Sequence, residues 1–232
     1  MAQKCGYSRF QVPKGRALRW AACGLVAVTG VSGCNQKAEE DASWTPASKV
    51  CQSTLDTTAA AAPKKIAGTD EFTELTGTND AGEPNKFSLK LAAKHLHGTT
   101  PQRNTCTVYK ADDKSGHPLI DVDFEASVNH PDQAGALTTH QKDRIFYPMG
   151  VYARTDADSG ADLFFRCPTK GAKGDTKYVN GSMFTSGNQL EGDTTSKDLM
   201  TILNSVSRHL AAELGCSDEA QLPSEIPAPV TR

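Results

Sequence analysis

The run Thr195-Ser-Lys-Asp-Leu-Met-Thr-Ile-Leu-Asn-Ser-Val-Ser-Arg-His-Leu-Ala-Ala-Glu-Leu-Gly-Cys216 reads as one helix from end to end. Leu199, Ile202, Leu203, Val206, Leu210 and Leu214 recur at intervals of three and four, which gathers them into one stripe on a helix of 3.6 residues per turn. Thr195 and Asp198 have the spacing of a capping box, with Asp in place of the usual Glu. Gly215 stands where a helix is ordinarily closed by a left-handed residue. Lys197, Arg208 and Glu213 fall on the wet side and His209 beside the stripe. An apolar stripe of this length needs a partner layer.

Alternating segments supply one. Leu119 to Ser127 places Ile120, Val122, Phe124 and Ala126 on one face and Asp121, Asp123 and Glu125 on the other, the pattern of a half-buried strand. Cys106 to Tyr109 and Tyr178 to Thr185 read as further strands. Gly150 to Arg154 and Leu163 to Cys167 read as a hairpin closed by the Asp- and Gly-rich turn between Asp156 and Asp162. That turn lacks the ligand spacing of a calcium loop, and Asp and Gly are what a tight turn asks for. Two more helices are expected. One runs from about Ser53 to Ala62, ended or kinked by Pro63, with Gly68 closing the segment. The other lies between Phe87 and His97, where Leu89, Ala92, Ala93 and Leu96 share a helical face although Phe87, Leu89 and Leu91 also alternate as a strand would. Helix is the choice made, with Ser88 as cap and Gly98 as end. It sets His95 and His97 about 200° apart, which removes them as a chelating pair. The expected fold is α+β: an antiparallel sheet of about five strands packed by two or three helices.

The cysteines divide along the chain. Cys51, Cys106, Cys167 and Cys216 lie in the part that folds, an even number that reads as two disulfides in an oxidising compartment. Four cysteines admit three pairings. The one that ties a helix end to a strand within each half is Cys51–Cys106 with Cys167–Cys216, and each such bridge stabilises by about 4 kcal/mol in the chain-entropy view. Without a Cys-x-x-Cys knuckle, four thiolates around a metal are not expected, and no cofactor is called for.

The remaining cysteines, Cys5, Cys23 and Cys34, belong to the first 34 residues. Lys4, Arg9, Lys14, Arg16 and Arg19 precede an apolar run from Trp20 to Val31 that is too short for a bilayer-spanning helix but suits a secretory leader. The run ends in Val31-Ser32-Gly33-Cys34. This tetrapeptide resembles the lipobox of bacterial lipoprotein signal peptides. The resemblance implies a diacylglyceryl thioether on the Cys34 sulfur and cleavage between Gly33 and Cys34. Two acyl chains suffice for stable anchoring. With the Cys51-helix-strand-Cys106 layout, the lipobox resembles small cysteine-bearing lipoproteins of actinobacteria; it carries over no functional residue beyond Cys34. The organisation expected is a signal peptide over 1–33, a lipidated tether over 34–43, one α+β domain over 44–216, and a disordered Pro-bearing tail over 217–232.

The formal charge of −2, with no basic stripe after Arg19, gives no footprint for nucleic acid. Neither Gly-x-Ser-x-Gly, Ser-x-x-Lys nor His-Glu-x-x-His is present. The expected function is therefore a non-catalytic binding or interaction module, held by its lipid on the extracytoplasmic face of the cell membrane, whose partner is an envelope protein or a small ligand. Its ligand-bearing segments are expected in the loops 76–86, 128–142 and 169–177. The alternative is an envelope hydrolase with a dispersed site such as Ser127, Asp123 and His130.

Overall fold

The computed structural model describes residues 44–138, 143–157, 159–191 and 194–230; the leader, Cys34 and the tether lie outside them. Seven strands form one antiparallel sheet: β1 (Phe72–Glu74), β2 (Cys106–Lys110), β3 (Ile120–Ser127), β4 (Arg144–Phe146), β5 (Tyr152–Asp156), β6 (Gly160–Gly171) and β7 (Gly174–Phe184), ordered β1-β2-β3-β7-β6-β5-β4. Among the described residues the helices number six: α1 (Val50–Ser53), α2 (Thr57–Ala67), α3 (Leu89–Lys94), α4 (Gln133–Thr138), α5 (Ser196–Glu213) and α6 (Ser217–Ala220).

The α+β class and the antiparallel sheet hold, and the counts need correcting: seven strands rather than about five, six helices rather than two or three. The two added strands, β1 and β4, are the sheet's edges and have three residues each, too few for a period of two to register. The added helices are of four to six residues. The stretch 169–177, expected as a Gly-rich loop, is the far end of a long hairpin in which Gly171 pairs with Gly174. There the Thr169 and Thr176 hydroxyls meet at 2.8 Å across the strands.

α2 starts later and ends later than expected. Cys51, Gln52 and Ser53 take left-handed φ values of 49°, 58° and 59°, a conformation costing an L-residue about 1–2 kcal/mol. The turn is held from outside: Glu74 Oε1 accepts from the Cys51 amide at 2.8 Å, and Gln52 Oε1 accepts from the Leu89 amide at 2.7 Å. Asp56 then caps α2 by accepting from the Ala59 amide at 2.9 Å. The helix runs through Pro63 to Ala67 because Ile66 and Ala67 are buried, so tertiary packing overrides the lost backbone donor. Gly68, at φ 70°, closes it.

α5 is the centre of the molecule. Its capping box is as read: Thr195 Oγ1 accepts from the Asp198 amide at 3.3 Å, and Asp198 Oδ2 accepts from the Thr195 amide at 2.9 Å. Ile202 to Ser207 are six consecutive buried residues, so the middle of this helix is dry all round, while Lys197, His209 and Glu213 are exposed towards its ends. One side lies on the inner face of the sheet, close enough that a Cβ on Gly181 would sit 2.9 Å from the Phe124 ring and 3.2 Å from Leu203. A second side meets α2 and the turn that leads into it, where Ser205 Oγ donates to Thr54 O at 2.8 Å.

The third side is covered by the segment expected to be a disordered tail, and here the structure differs from the expectation. Ala220 and Ile226 are buried in the common core, Asn204 Nδ2 donates to Pro223 O at 2.8 Å, and the Val230 amide donates to Phe146 O at 2.8 Å. Pro223, Pro227 and Pro229, read as signs of disorder, stiffen an extended strap. Proline's preset φ lowers the entropy lost on docking. Only residues 231–232 of that segment lie outside the description.

Each edge strand is met at one residue by a segment from outside the sheet. Thr45 exchanges two backbone hydrogen bonds with Phe72 on β1, at 2.6 and 3.0 Å, while the Val230 amide donates to Phe146 O on β4. Such plugging blunts the tendency of free edges to recruit other strands. The four cysteines stand in two pairs at disulfide distance, Cys51 with Cys106 (Cα atoms 5.4 Å apart) and Cys167 with Cys216 (5.3 Å). Among the described residues no helix is long and apolar enough to cross a membrane.

Two measurements follow. Ile226→Ala should cost about 2 kcal/mol of unfolding free energy, as for a filled apolar site, whereas a disordered tail would leave the denaturation midpoint unmoved. On the face of β3 opposite Val122 and Phe124, burial pushes the Asp121 carboxyl above its usual range, against the opposing hydrogen bond from Thr107. A raised carboxyl pKa in the folded state costs stability above that pKa, and the cost disappears as pH falls through it. Asp121→Asn should therefore raise the melting temperature by a few degrees at pH 7, with the gain shrinking to nothing under acid.

Candidate functional site

A concavity lies between two loops at the β1–β2 end of the sheet. Loop 77–85 is a closed unit: Thr78 pairs with Pro84, the Asn79 amide donates to Glu83 O at 2.9 Å, and Asn85 donates to Gly77 O at 2.9 Å. Inside it Asn79 Oδ1 accepts from the Ala81 and Glu83 amides at 3.0 and 2.9 Å. The unit is bolted down by Asn104, which is nearly buried. Its Nδ2 donates to the carbonyls of Pro84, Asn85 and Lys86 at 3.3–3.4 Å, and its Oδ1 accepts from the Ser88 amide at 2.7 Å. Ser88 is thus the N-cap of α3, as expected, but its hydroxyl makes no cap bond.

The opposite wall is the segment 99–105. Thr99 and Gln102 close a capping box around a single 3-10 turn, with Gln102 Oε1 accepting from the Thr99 amide at 3.1 Å. Between the walls lie two adjoining hollows of about 220 and 640 Å³, both bordered by Asn79, Glu83, His95, Pro101 and Gln102. Of the three loops expected to carry ligands, 76–86 therefore lines a cavity. Stretch 169–177 is a hairpin instead, and 128–142 is in part the helix α4 with residues 139–142 outside the description.

Charge in the groove is matched at Glu83 and at Arg103, while Asp80 on the rim of the larger hollow is exposed. Glu83 meets Lys94 at 2.7 Å and lies 2.7 Å from His95 Nε2, although the second contact is poorly aligned and leaves that nitrogen without a proper hydrogen bond. The Lys94 ammonium, aided by His95, holds the Glu83 carboxyl below its usual range. On the other wall the Arg103 side chain is only 10% exposed and reaches under the sheet edge, meeting Asp123 at 2.8 Å and Glu125 at 2.6 Å. Its NH2 group also donates to Thr100 Oγ1 at 2.8 Å. Burial nonetheless pushes the Asp123 carboxyl upward, outweighing the guanidinium. The acidic ladder of β3 is thus clamped by one arginine that the sequence reading did not single out. A buried counter-ion is the signal it lacked, because Arg103 lies 20 residues from Asp123 and on another element.

The remaining expected candidates are dispersed. Ser127 Oγ donates to Asn129 O at 2.5 Å, His130 Nδ1 contacts Pro131 O while its ring stacks edge-on against Tyr178, and Asp123 belongs to Arg103. These three groups form no hydrogen-bonded chain. His97 Nε2 lies 2.9 Å from Thr169 Oγ1, away from His95 and its partner Glu83. In the β5–β6 turn region Asp156 and Asp162 are bound by Arg144 and Arg154 at 2.7–2.8 Å. Among the described residues no three of His, Cys, Asp and Glu are grouped so as to hold a metal ion.

Asn104→Ala should cost about 2 kcal/mol, since it strips acceptor and donor from several buried backbone groups at once. Amide exchange should quicken over 77–88 while the amides of α5 keep their protection; equal quickening everywhere would show that Asn104 does not act on the loop alone. Compared with known proteins, the chain matches no family model, no curated protein and no solved structure.

Proposed function

We propose that the chain is a lipid-anchored binding module of the cell envelope, tethered through Cys34 on the outer side of the cytoplasmic membrane. The observation that carries this reading is the partition of the cysteines. Cys51, Cys106, Cys167 and Cys216 are at disulfide distance in pairs within the body, as suits a compartment where thiols are oxidised. Of the other three, Cys34 alone follows an aliphatic residue and two small ones. A diacylglyceryl group there needs no help from the protein surface.

The binding half of the reading is supported by the groove, a concave site with convergent polar groups, which is the usual form of a small-ligand site. A hydrolase gains no support from the arrangement of Ser127, Asp123 and His130, each of which is engaged elsewhere.

Expressed in a bacterium fed labelled palmitate, the wild-type chain should take up label and sediment with membranes. Cys34→Ala should do neither. Mass spectrometry should find the mature N-terminus at Cys34 carrying the mass of a diacylglyceryl group; a bare thiol there, or an intact leader on cytosolic protein, would overturn the reading.

A further inference from the structure

The β6–β7 hairpin gathers positive charge that the sequence spreads over a dozen positions. Arg166, Lys170, Lys173 and Lys177 are all exposed, and Asp175, across from Lys170, is the one acidic residue among them. Among the described residues none of the four cations has a carboxylate partner, whereas most lysines and arginines elsewhere do. The other unpaired lysines, Lys49, Lys90, Lys114 and Lys197, stand singly on separate elements. Glu125, near the end of β3, is already bound by Arg103 and Asn180. In a chain whose formal charge is −2, this is a local positive pole.

The pole projects. β3 stops at Ser127 opposite Tyr178, and β5 begins at Tyr152 opposite Phe164, so the pairs from Thr169–Thr176 to Gly171–Gly174 extend past both neighbouring strands. Four residues beyond Tyr178 give an overhang of about 14 Å. His97 rests against Gly171 and Thr169 at its side. The antiparallel registers from β1 to β7 put the Glu74 end of β1, the Ser127 end of β3 and the hairpin tip at one end of the sheet. Thr45 runs antiparallel to β1, so the chain enters the fold from that same end. The ten residues from Cys34 to Ser43 span at most about 35 Å, which keeps the tip beside whatever surface holds Cys34.

Resting on the reading that Cys34 carries a lipid, we infer that the hairpin tip docks on the anionic phospholipid headgroups of the same bilayer, with Lys170, Lys173 and Lys177 against the phosphates. A two-stranded tip has no walls to enclose a free anion. Between Pro168 and Lys177 there is no aromatic ring on which nucleic acid bases could stack. Each lysine near an anionic bilayer favours attachment about fivefold. The lipid already holds the chain; the hairpin adds orientation.

The test uses the full chain, isotopically labelled and lipidated in the bacterium, in nanodiscs of phosphatidylcholine with or without phosphatidylglycerol. A gadolinium chelate on a headgroup broadens the NMR signals of amides near the surface. In phosphatidylglycerol discs the amides of 170–177 should broaden, while those at the opposite end of β7, near Phe184, should not. The broadening should vanish on going from about 0.1 M to about 1 M salt, as the screening length falls from about 10 Å to about 3 Å. Combining Lys170→Gln, Lys173→Gln and Lys177→Gln should weaken docking about a hundredfold. The melting temperature should stay within about 2 °C, because the three make no ion pair. Equal broadening in phosphatidylcholine discs, broadening that survives the triple substitution, or a silent hairpin in phosphatidylglycerol discs overturns the docking and leaves the anchor standing. Polyglutamate moving the hairpin signals where phosphatidylglycerol discs do not overturns the lipid in favour of an acidic protein chain. The anchor is read separately by mass. If Cys34 proves bare, a maleimide phospholipid coupled to its thiol supplies the tether, and the same hairpin signals decide.

Discussion

The enclosure of α5 is the constraint from which the rest of the architecture follows. The middle of this helix, six successive residues shielded from water, has no polar face to leave outside, so it must be surrounded. The sheet does this on one side, α2 on another and the proline-bearing strap on the third. Two of these layers are fastened to α5 by a polar contact near its middle: the turn leading into α2 through Ser205 to Thr54, and the strap through Asn204 to Pro223. The Cys167–Cys216 pair closes the system by joining the helix's far end to the longest strand. Polar residues in the middle of an apolar stripe thus act as fasteners between layers, which apolar contact alone would leave free to slide.

At the other end of the sheet the organising group is Arg103. It belongs to the groove by position and to the open sheet face by its bonds. Two strand carboxylates and a loop are thereby drawn to one buried guanidinium. Removing one member of such a cluster leaves the others charged and dry, a larger penalty than the loss of an exposed ion pair. The groove is built on the same principle of internal satisfaction: Asn104 binds four backbone groups and Asn79 two. Its walls are therefore preset before any ligand arrives.

What could be read from the residues was what repeats. The stripe from Leu199 to Leu210 and the alternation from Ile120 to Phe124 declared α5 and β3, and Thr195 with Asp198 declared the cap. The cysteine pairing was one of three that four cysteines admit, chosen because it ties a helix end to a strand within each half. The two edge strands escaped because three residues hold a single alternation. The strap escaped because proline marks both disorder and rigid extension, and only Ile226 finding a seat on the body decides between them. The left-handed turn at Cys51 to Ser53 carries no glycine to announce it; its φ values are imposed by Glu74 and Gln52 bonds that span 23 and 37 positions. Loop 76–86 was legible as a candidate by composition. Its opposite wall, with Gln102 and Arg103, was not, since a groove exists only once two distant segments face each other.

The plug at Thr45 also sets how the body responds to traction. A pull on the chain ahead of Trp44 would first strip the two hydrogen bonds to Phe72, a zipper one rung long. It would then meet the Cys51–Cys106 cross-link after only six more residues, about 20 Å of slack at full extension. Beyond that point the tension passes covalently into β2, one strand in from the sheet's margin, and the long run of chain between the two cysteines is bypassed. Shear in the surrounding medium can therefore peel the first few residues without unravelling the groove or the layers around α5.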